Sequence, residues 1–377
     1  MRLLVVDHNA LAETGRTLYR ALAEYEDMRI RVLVPRAWHD NFRTLRMTGP
    51  EETGKCAFLP SPVLFPARTH RLIYLHLRKH IAEFRPDILY MNSDPENFPT
   101  LQAAVLVRSR RNIKLFFSTW RNIDFSPRGH PYRLRALHRR AERMVFGRAD
   151  HAIAFTERAR DLLHLNGYPR VTVLPPWVDT SLFRNDADRT ARERLGLKDF
   201  TVGYVGRFTP EKGGDVLLRA AGQLTGDWNL LLVGDGPAYR EWAGLAEQLG
   251  IAGRVRWIPP AGHAEIPSYL KAMDVLVLPS RTTPRWKEQF GRVLIEAMAC
   301  GVPVIGSDSG EIPNVVGDAG LLFDEGDAAS LCSRILEYKN NASLMHQSAE
   351  RGLRRVRKRY AVEVVAPMYH RLFVDSC

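Results

Sequence analysis

GYVGRFTPEKGGD, residues Gly203–Asp215, reads as the end of a strand, a turn and the start of a helix. The apolar run VGYVG (Val202–Gly206) stops on a glycine, Arg207 and Lys212 sit on the turn, and Gly213 opens a helical stretch. Glycines let a backbone approach an anion closely, and a helix N-terminus offers free N–H groups and a positive dipole end. The arrangement suits a diphosphate, although a surface turn with a lysine would share these residues. The same rhythm of apolar run and helical stretch extends outward. Downstream come NLLLVG (Asn229–Gly234), VRWI (Val255–Ile258), DVLVLP (Asp274–Pro279) and VPVIGS (Val302–Ser307). Upstream lie LLVV (Leu3–Val6), IRVLV (Ile30–Val34), DILYM (Asp87–Met91), IKLFF (Ile113–Phe117), HAIAF (His151–Phe155) and VTVL (Val171–Leu174). Continuous rather than alternating apolar runs predict strands covered on both faces, and the helices between them predict parallel pairing. So many strands exceed one open sheet. The expected class is α/β, with two doubly wound Rossmann-like domains facing across a cleft, where ligands meet the carboxyl ends of the strands.

The proline-led, polar segment PPWVDTSLFRNDADRTARERLG (Pro175–Gly196) reads as the join. The expected division is a first Rossmann-like domain over 1–175, a linker over 176–196, a second Rossmann-like domain over 197–350, and a C-terminal helix over 351–377 crossing back to the first domain. Charge changes at the same place. The chain of 377 residues carries 54 Lys+Arg against 42 Asp+Glu, a net of +12. Residues 1–180 hold 29 basic and 18 acidic side chains, and residues 181–377 hold 25 and 24, so nearly all the excess lies in the first half. A basic surface attracts nucleic acid, an anionic membrane or a phosphorylated ligand. Cys56, Cys300, Cys332 and Cys377 form no disulfide framework and no CxxC pair, which favours a reducing compartment. Met1–Arg2 runs straight into LLVVD, so no signal peptide is expected. No apolar stretch approaches the roughly 20 residues of a membrane span. Any membrane contact should therefore be peripheral, and the expected location is cytoplasmic, at the inner face of the plasma membrane where a membrane is met.

The second chemical signal is EQFGRVLIEAMACGVPVIGSDSGEIPNVV (Glu288–Val316). Gly291 marks a helix start, with Glu288 in the loop before it and Glu296 inside the helix. Carboxylates accept bonds from sugar hydroxyls, and the amides of Phe290 and Gly291 suit phosphate oxygens. An acidic helix N-terminus favoured by the macrodipole has the same composition. The pair GDGP (Gly234–Pro237) is most simply a tight turn.

GRFTPEKG followed by this E-x7-E segment resembles the donor half of the retaining glycosyltransferases of family four, the group 1 glycosyl transferases with the two-domain GT-B fold. LLVGDGP, VRWIPPAGHAEIPSYLKAMDVLVLPS (Val255–Ser280) and LPPWVDTSLF (Leu174–Phe183) resemble further stretches of that family, in its order and spacing. The resemblance implies that Arg207 and Lys212 hold the donor diphosphate, Glu288 faces the transferred sugar and Glu296 bonds the ribose. It implies too that Gly206, Phe290 and Gly291 line the donor, and that the base lies against Trp257 and Ile258, where Pro259–Pro260 replace the family's usual glycine. It gives the activity as metal-independent hexosyl transfer from a UDP or GDP sugar to a saccharide or lipid-linked acceptor, in polysaccharide or glycolipid assembly, with no cofactor. The only D-x-D, Asp186–Asp188, lies in the proposed linker and reads as solvated charge.

The first half departs from the family. The loop after the first strand, DHNALAETGR (Asp7–Arg16), has Gly15 alone where relatives carry a glycine pair near the donor phosphate. FFSTWRNIDF (Phe116–Phe125) has Trp120–Arg121 where relatives place a histidine. NSDPENFPT (Asn92–Thr100) resembles an E-P motif of a sub-branch, so Asp94, Glu96, Arg121 and Asn122 are acceptor-side candidates; His8 could also enter the cleft. In YRLRALHRRAERMVFGR (Tyr132–Arg148), Leu134, Leu137, Ala141 and Met144 recur at helical spacing and should be core, leaving Arg133, Arg139, Arg140 and Arg143 outside. RAWHDNFRTLRM (Arg36–Met47) sets Trp38, Phe42 and Leu45 beside Arg36, Arg43 and Arg46, the mix of an interfacial helix at an anionic membrane or of an ordinary basic surface helix. Two other readings compete. A nucleotide-sugar epimerase shares the GT-B architecture but gives no reason for GRFTPEKG with E-x7-E. A basic nucleic-acid-binding protein lacks any helix-turn-helix, zinc-knuckle or RNP pattern here, so no nucleic-acid partner is expected.

Overall fold

The computed structural model of the chain describes residues 1–39, 44–124, 135–186 and 190–377. It contains two compact units, Met1–Trp177 together with Val362–Cys377, and Val178–Ala361.

The first unit carries strands β1 (Arg2–Val6), β2 (Arg29–Pro35), β3 (Ala37–His39), β4 (Thr44–Arg46), β5 (Glu51–Thr53), β6 (Cys56–Ser61), β7 (Val63–Leu64), β8 (Ile73–Tyr74), β9 (Ile88–Met91), β10 (Lys114–Thr119), β11 (His151–Ala154) and β12 (Val171–Val173). Eight of them form one sheet in the order β12-β11-β10-β9-β1-β2-β6-β5. It is parallel except for the edge pair β5–β6. Alternate residues of β1 serve opposite faces. Leu3 and Val5 join a cluster with Val365, Tyr369 and Phe373 of the C-terminal helix Val362–Val374. Leu4 and Val6 join another with Leu77, Ile81, Ala103 and Val145. Each face thus has its own helical cover, which is why the strands read as continuous apolar runs.

The second unit adds β13 (Phe200–Val205), β14 (Trp228–Val233), β15 (Val255–Ile258), β16 (Val275–Leu278), β17 (Val304–Ser307) and β18 (Gly320–Phe323). They form one six-stranded sheet, β15-β14-β13-β16-β17-β18, with parallel pairing throughout. Both sheets are doubly wound. The strand order reverses at β1, between β2 and β9, and at β13, between β14 and β16. Such reversals open a crevice beyond the carboxyl ends of the strands on either side.

Two expectations are corrected. The described residues of 36–47 are not helical: β3 and β4 pair antiparallel, with Trp38 opposite Leu45. Both side chains pack on the first unit's core, so these two apolar residues are already covered. Phe42 and Arg43 lie outside the described residues. The helix Arg135–Arg148 buries His138, Ala141 and Val145, while Leu137 and Met144 are each 43% exposed. Its inner stripe is therefore offset by one residue from the apolar one. Arg139, Arg140 and Arg143 are exposed as expected, and Arg133 and Leu134 lie outside the described residues.

Candidate functional site

In the second unit the loops after β13 and β16 meet at the sheet's reversal. The β13 loop turns through Arg207 and the short helical turn Pro210–Lys212 into the helix Gly214–Ala221. Tyr204 fixes its start from below, donating its hydroxyl to Arg207 O at 2.7 Å. Gly213 links turn and helix at φ +69°, where a Cβ would collide with the carbonyl of Pro279. Only glycine allows the backbone to pass that close to the end of β16. Two contacts stitch the loops together: Arg281 N donates to Glu211 O at 2.8 Å, and the Arg281 guanidinium pairs with Asp215 at 3.0 Å.

Lys212 crosses this seam. Its Nζ lies 2.6 Å from Glu288 Oε2 and 4.9 Å from the centre of the Trp286 ring. Ser280 Oγ donates to the same carboxylate oxygen at 2.7 Å, and Ser307 Oγ, at the end of β17, donates to Ser280 O at 2.6 Å. The Glu288 carbonyl accepts from Glu311 N at 3.1 Å, and a Cβ at Gly310 (φ +58°) would strike that carbonyl. Glu288 is thus held from both its backbone and its side chain, and the ammonium it holds is fixed with it. A further brace runs behind: Thr282 donates its N–H and hydroxyl to Glu325 Oε2 at 3.0 and 2.8 Å.

The other predicted residues of this unit lie as follows. Arg207 is exposed at the loop tip, and no ion pair engages it among the described residues. Gly206 directly follows β13. Gly291 precedes the helix Arg292–Ala299, and Phe290 turns its ring into the core against Tyr360. Glu296 is the fifth residue of that helix; burial raises its carboxyl above the usual range, and Arg292 draws it back. Trp257 and Ile258 end β15, with Trp257 edge-on to Phe208 and Tyr239. Sequence reasoning assigned nothing to Ser280, Ser307, Trp286 or Glu325. Ser280 closes the family-like stretch Val255–Ser280, which ends in DVLVLPS, and has a signal there; the rest carry no local signal.

In the first unit the carboxyl ends of β1, β9 and β10 gather a polar cluster. Asp7 accepts from Tyr19 Oη at 2.7 Å, Asn92 Nδ2 at 2.8 Å and Asn9 N at 2.8 Å. Asp94 Oδ1 accepts from Thr119 Oγ1 at 2.6 Å and Trp120 N at 3.3 Å. Arg121 turns inward, donating to Glu96 Oε2 and Glu142 Oε1, both at 2.6 Å, and its side chain is only 3% exposed. Asn122 is half-buried beside it. Trp120 stacks on Phe155 at 4.1 Å. His8 meets Trp38 edge-on at 5.2 Å. Gly15 is buried in a short turn and spends its N–H on Ala12 O at 3.0 Å. Asp186 is exposed and pairs with Arg184, and Asp188 lies outside the described residues. Among the described residues no group of three or more His, Cys, Asp or Glu side chains is placed to hold a metal.

Burial, and then the charge of Glu96, raise the Asp94 carboxyl from the ordinary 3.8 to about 7. Between those values the folded chain holds a proton that the unfolded chain has released, so this group makes stability fall as pH rises through the window. In Asp94→Asn that dependence is absent. The melting temperature of the variant should drop less than that of the wild type between about pH 5 and about pH 8; parallel profiles would show that Asp94 titrates normally.

Comparison with known proteins fits these features. The model of the glycosyl transferases group 1 family matches residues 187–355, and that of the glycosyl transferase 4-like domain matches residues 12–177. The chain is 37% identical over 188 residues to the D-inositol 3-phosphate glycosyltransferase of Mycobacterium tuberculosis, covering 47% of this chain and 38% of the relative. It thus spans about four-tenths of the length of the curated relatives it matches. Among solved structures it resembles a sucrose-phosphate synthase from Thermosynechococcus elongatus, with TM-score 0.78 and 21% identity over 100% of this chain and 98% of that one. It also resembles HepE from Anabaena in complex with UDP, with TM-score 0.75 and 18% identity over 99% of each chain. The likeness gives the fold as GT-B.

Proposed function

We propose that the chain, matched in its two halves by glycosyltransferase family models, acts as a group 1 glycosyltransferase that moves a hexose from a UDP sugar to a saccharide or lipid-linked acceptor, with retention at the anomeric carbon. One observation carries this reading: the Lys212–Glu288–Ser280 cluster at the reversal of the second sheet, with the cation of Arg207 on the same loop. Lys212 has three N–H donors. Glu288 takes one and aims the others, so the ammonium is positioned before the donor arrives. Preorganised positive groups stabilise charge that grows on a leaving diphosphate without reorganising at the moment of reaction.

In this reading the bond from the anomeric carbon to the phosphate oxygen breaks and the bond to the acceptor oxygen forms on the same face of the sugar. The acceptor proton passes to the departing phosphate. Arg207 and Lys212 take up the diphosphate charge, Glu288 meets the sugar and Glu296 the ribose. These cations supply the neutralisation that a metal supplies elsewhere, so the transfer is proposed to be metal-independent. HepE, crystallised with UDP, supports the choice of uracil nucleotide.

A thermal-shift series against UDP and GDP sugars tests the proposal. A ligand that binds only the folded state, at about 100 times its Kd, stabilises by roughly 2.7 kcal/mol. A UDP sugar should raise the melting temperature and Arg207→Ala should abolish the rise. No response to any nucleotide sugar would overturn the proposal, and a product of inverted anomeric configuration would overturn its stereochemistry.

A further inference from the structure

The antiparallel ribbon β7/β8 has apolar residues on both faces. Val63 pairs with Tyr74 and Leu64 with Ile73. Side chains alternate along each strand, so Tyr74 and Val63 share one face while Leu64, Ile73 and Leu75 share the other. The first face is absorbed by the core of the unit: Tyr74 is buried and Val63 packs on it. The second is left in water, with Leu64 at 46% and Leu75 at 52% exposure. Phe65 follows at the turn, 57% exposed, with a backbone φ of +58°. Bulky side chains avoid that region, so this phenylalanine is held outward against its own conformational preference.

The ribbon is braced rather than loose. Gln102 bonds the backbone of Tyr74 twice, accepting from its N–H at 3.0 Å and donating to its carbonyl at 2.9 Å. Trp38 Nε1 donates to Thr69 Oγ1 at 3.3 Å, and His39 N donates to Pro66 O at 3.3 Å.

The chain on either side of this apolar edge is rich in cations. Between Glu52 and Glu83 the sequence contains no Asp or Glu, and it contains Lys55, Arg68, Arg71, Arg78 and Lys79. Arg68 closes the turn at Phe65, donating its N–H to Phe65 O at 3.0 Å, and its side chain is exposed. Arg78 and Lys79 stand exposed on the first turn of the helix Leu77–Phe84, whose Leu77 and Ile81 face inward, and Lys79 lies 3.8 Å from the exposed Glu83 one turn on, a surface pair that holds the ammonium only weakly. An outward apolar edge with Arg68, Arg78 and Lys79 exposed beside it along the chain matches the boundary between the headgroups and acyl chains of an anionic bilayer. No helix among the described residues is long and apolar enough to cross a membrane, so such contact would lie in the interface plane.

We propose that the β7/β8 ribbon, through Leu64, Phe65 and Leu75 with Arg68, Arg78 and Lys79, docks the first unit on an anionic lipid bilayer. A lipid-linked acceptor gives this docking its purpose, and to that extent it rests on the proposed function; vesicle binding is measured without donor or acceptor, so the two stand or fall separately.

The experiment is co-sedimentation of the full chain with vesicles of phosphatidylcholine alone or mixed with phosphatidylglycerol. The wild type should sediment only with the anionic vesicles and should be released near 1 M salt, where the Debye length is about 3 Å. Phe65→Ser/Leu75→Ser should raise the lipid needed for half-binding at least about tenfold, since each side chain loses its transfer from water. Arg68→Gln/Lys79→Gln should raise it roughly fivefold for each cation removed. The charge variant changes exposed positions only, so it keeps the test decisive should the serine variant melt early. Equal binding to neutral vesicles, no binding, or binding unchanged in both variants would overturn the proposal. So would a sedimentation-equilibrium dimer lost in Phe65→Ser/Leu75→Ser, which would assign the edge to a second copy of the chain.

Discussion

Lys212→Ala is expected to lower turnover by about 10²–10³-fold while the chain stays folded, a loss of the size seen when one preorganised donor to a growing negative charge is removed. The geometry makes the effect larger than the loss of one charge. Lys212 and Ser280 share Glu288 Oε2, at 2.6 and 2.7 Å. Without the ammonium, Glu288 remains a buried carboxylate that has lost its cation, at the place proposed for the diphosphate. The variant then lacks an attraction and presents a repulsion. Lys212→Ala/Glu288→Gln removes the repulsion, so it should bind donor better than Lys212→Ala alone, although turnover stays low. The two changes should be non-additive, as neighbours in one network are. Steady-state kinetics with a UDP sugar, paired with melting temperatures, decide the matter. A loss in kcat below tenfold with an unchanged melting temperature would remove Lys212 from the proposed machinery.

The parts of this site that could be read from sequence are those in which backbone and chemistry coincide. Gly213 and Gly291 punctuate strand-to-helix turns, with Lys212 next to the first and Glu288 three positions before the second. Ser280, Ser307 and Glu325 act through contacts made only when three strands lie side by side; Ser307 reaches Ser280 across 27 positions. Spacing along the chain cannot encode that. The strands follow the same division. β1, β9, β14 and β16 are covered on both faces and announce themselves as apolar runs. β6 carries Pro60 near its end, β7 and β8 have two residues each, and none of these gives a periodic signal.

Two misreadings have distinct physical origins. Trp38 and Leu45 are seven positions apart, a separation that two helical turns and a hairpin both satisfy. The hairpin prevails, and both side chains reach the core next to the end of β2. In the helix Arg135–Arg148, Leu137 and Met144 share the seven-residue spacing of His138 and Val145. The second pair faces in, and polar groups on that stripe find backbone partners there. His138 Nδ1 lies 3.0 Å from Glu96 O, and Arg148 donates to the carbonyls of Val107, Arg110 and Ile113 at 3.0, 3.2 and 2.6 Å. A hydrophobicity pattern counts such residues as surface, and buried polar groups with partners are where that counting fails.

The same principle sets the largest stability effect expected in the first unit. Arg121 is buried between Glu96 and Glu142, with Asp94 nearby, so one guanidinium faces three carboxyls. Burial raises the carboxyl of Glu142, and Arg121 draws it back. Replacing a buried pair by apolar residues of similar shape is often neutral, but removing one partner leaves an uncompensated charge and costs about 3–5 kcal/mol. Arg121→Leu should therefore destabilise by that amount at neutral pH. At roughly 2–4 °C per kcal/mol for a unit of this size, the melting temperature should fall by about 10 °C. The deficit should shrink as pH falls, because burial holds the carboxyls of Asp94 and Glu142 above their ordinary values and they become protonated at little cost. Their penalty is absent below the unfolded value and complete above the folded one. Arg121→Leu/Glu96→Gln/Glu142→Gln removes the stranded charges, so it should recover most of the loss at neutral pH. An acceptor-contacting arginine would behave differently: its loss would raise KM for the acceptor and leave the melting temperature and its pH profile unchanged. Melting curves of the single and triple variants across pH separate the two, and an undisturbed curve for Arg121→Leu would exclude the buried ion network as a source of stability.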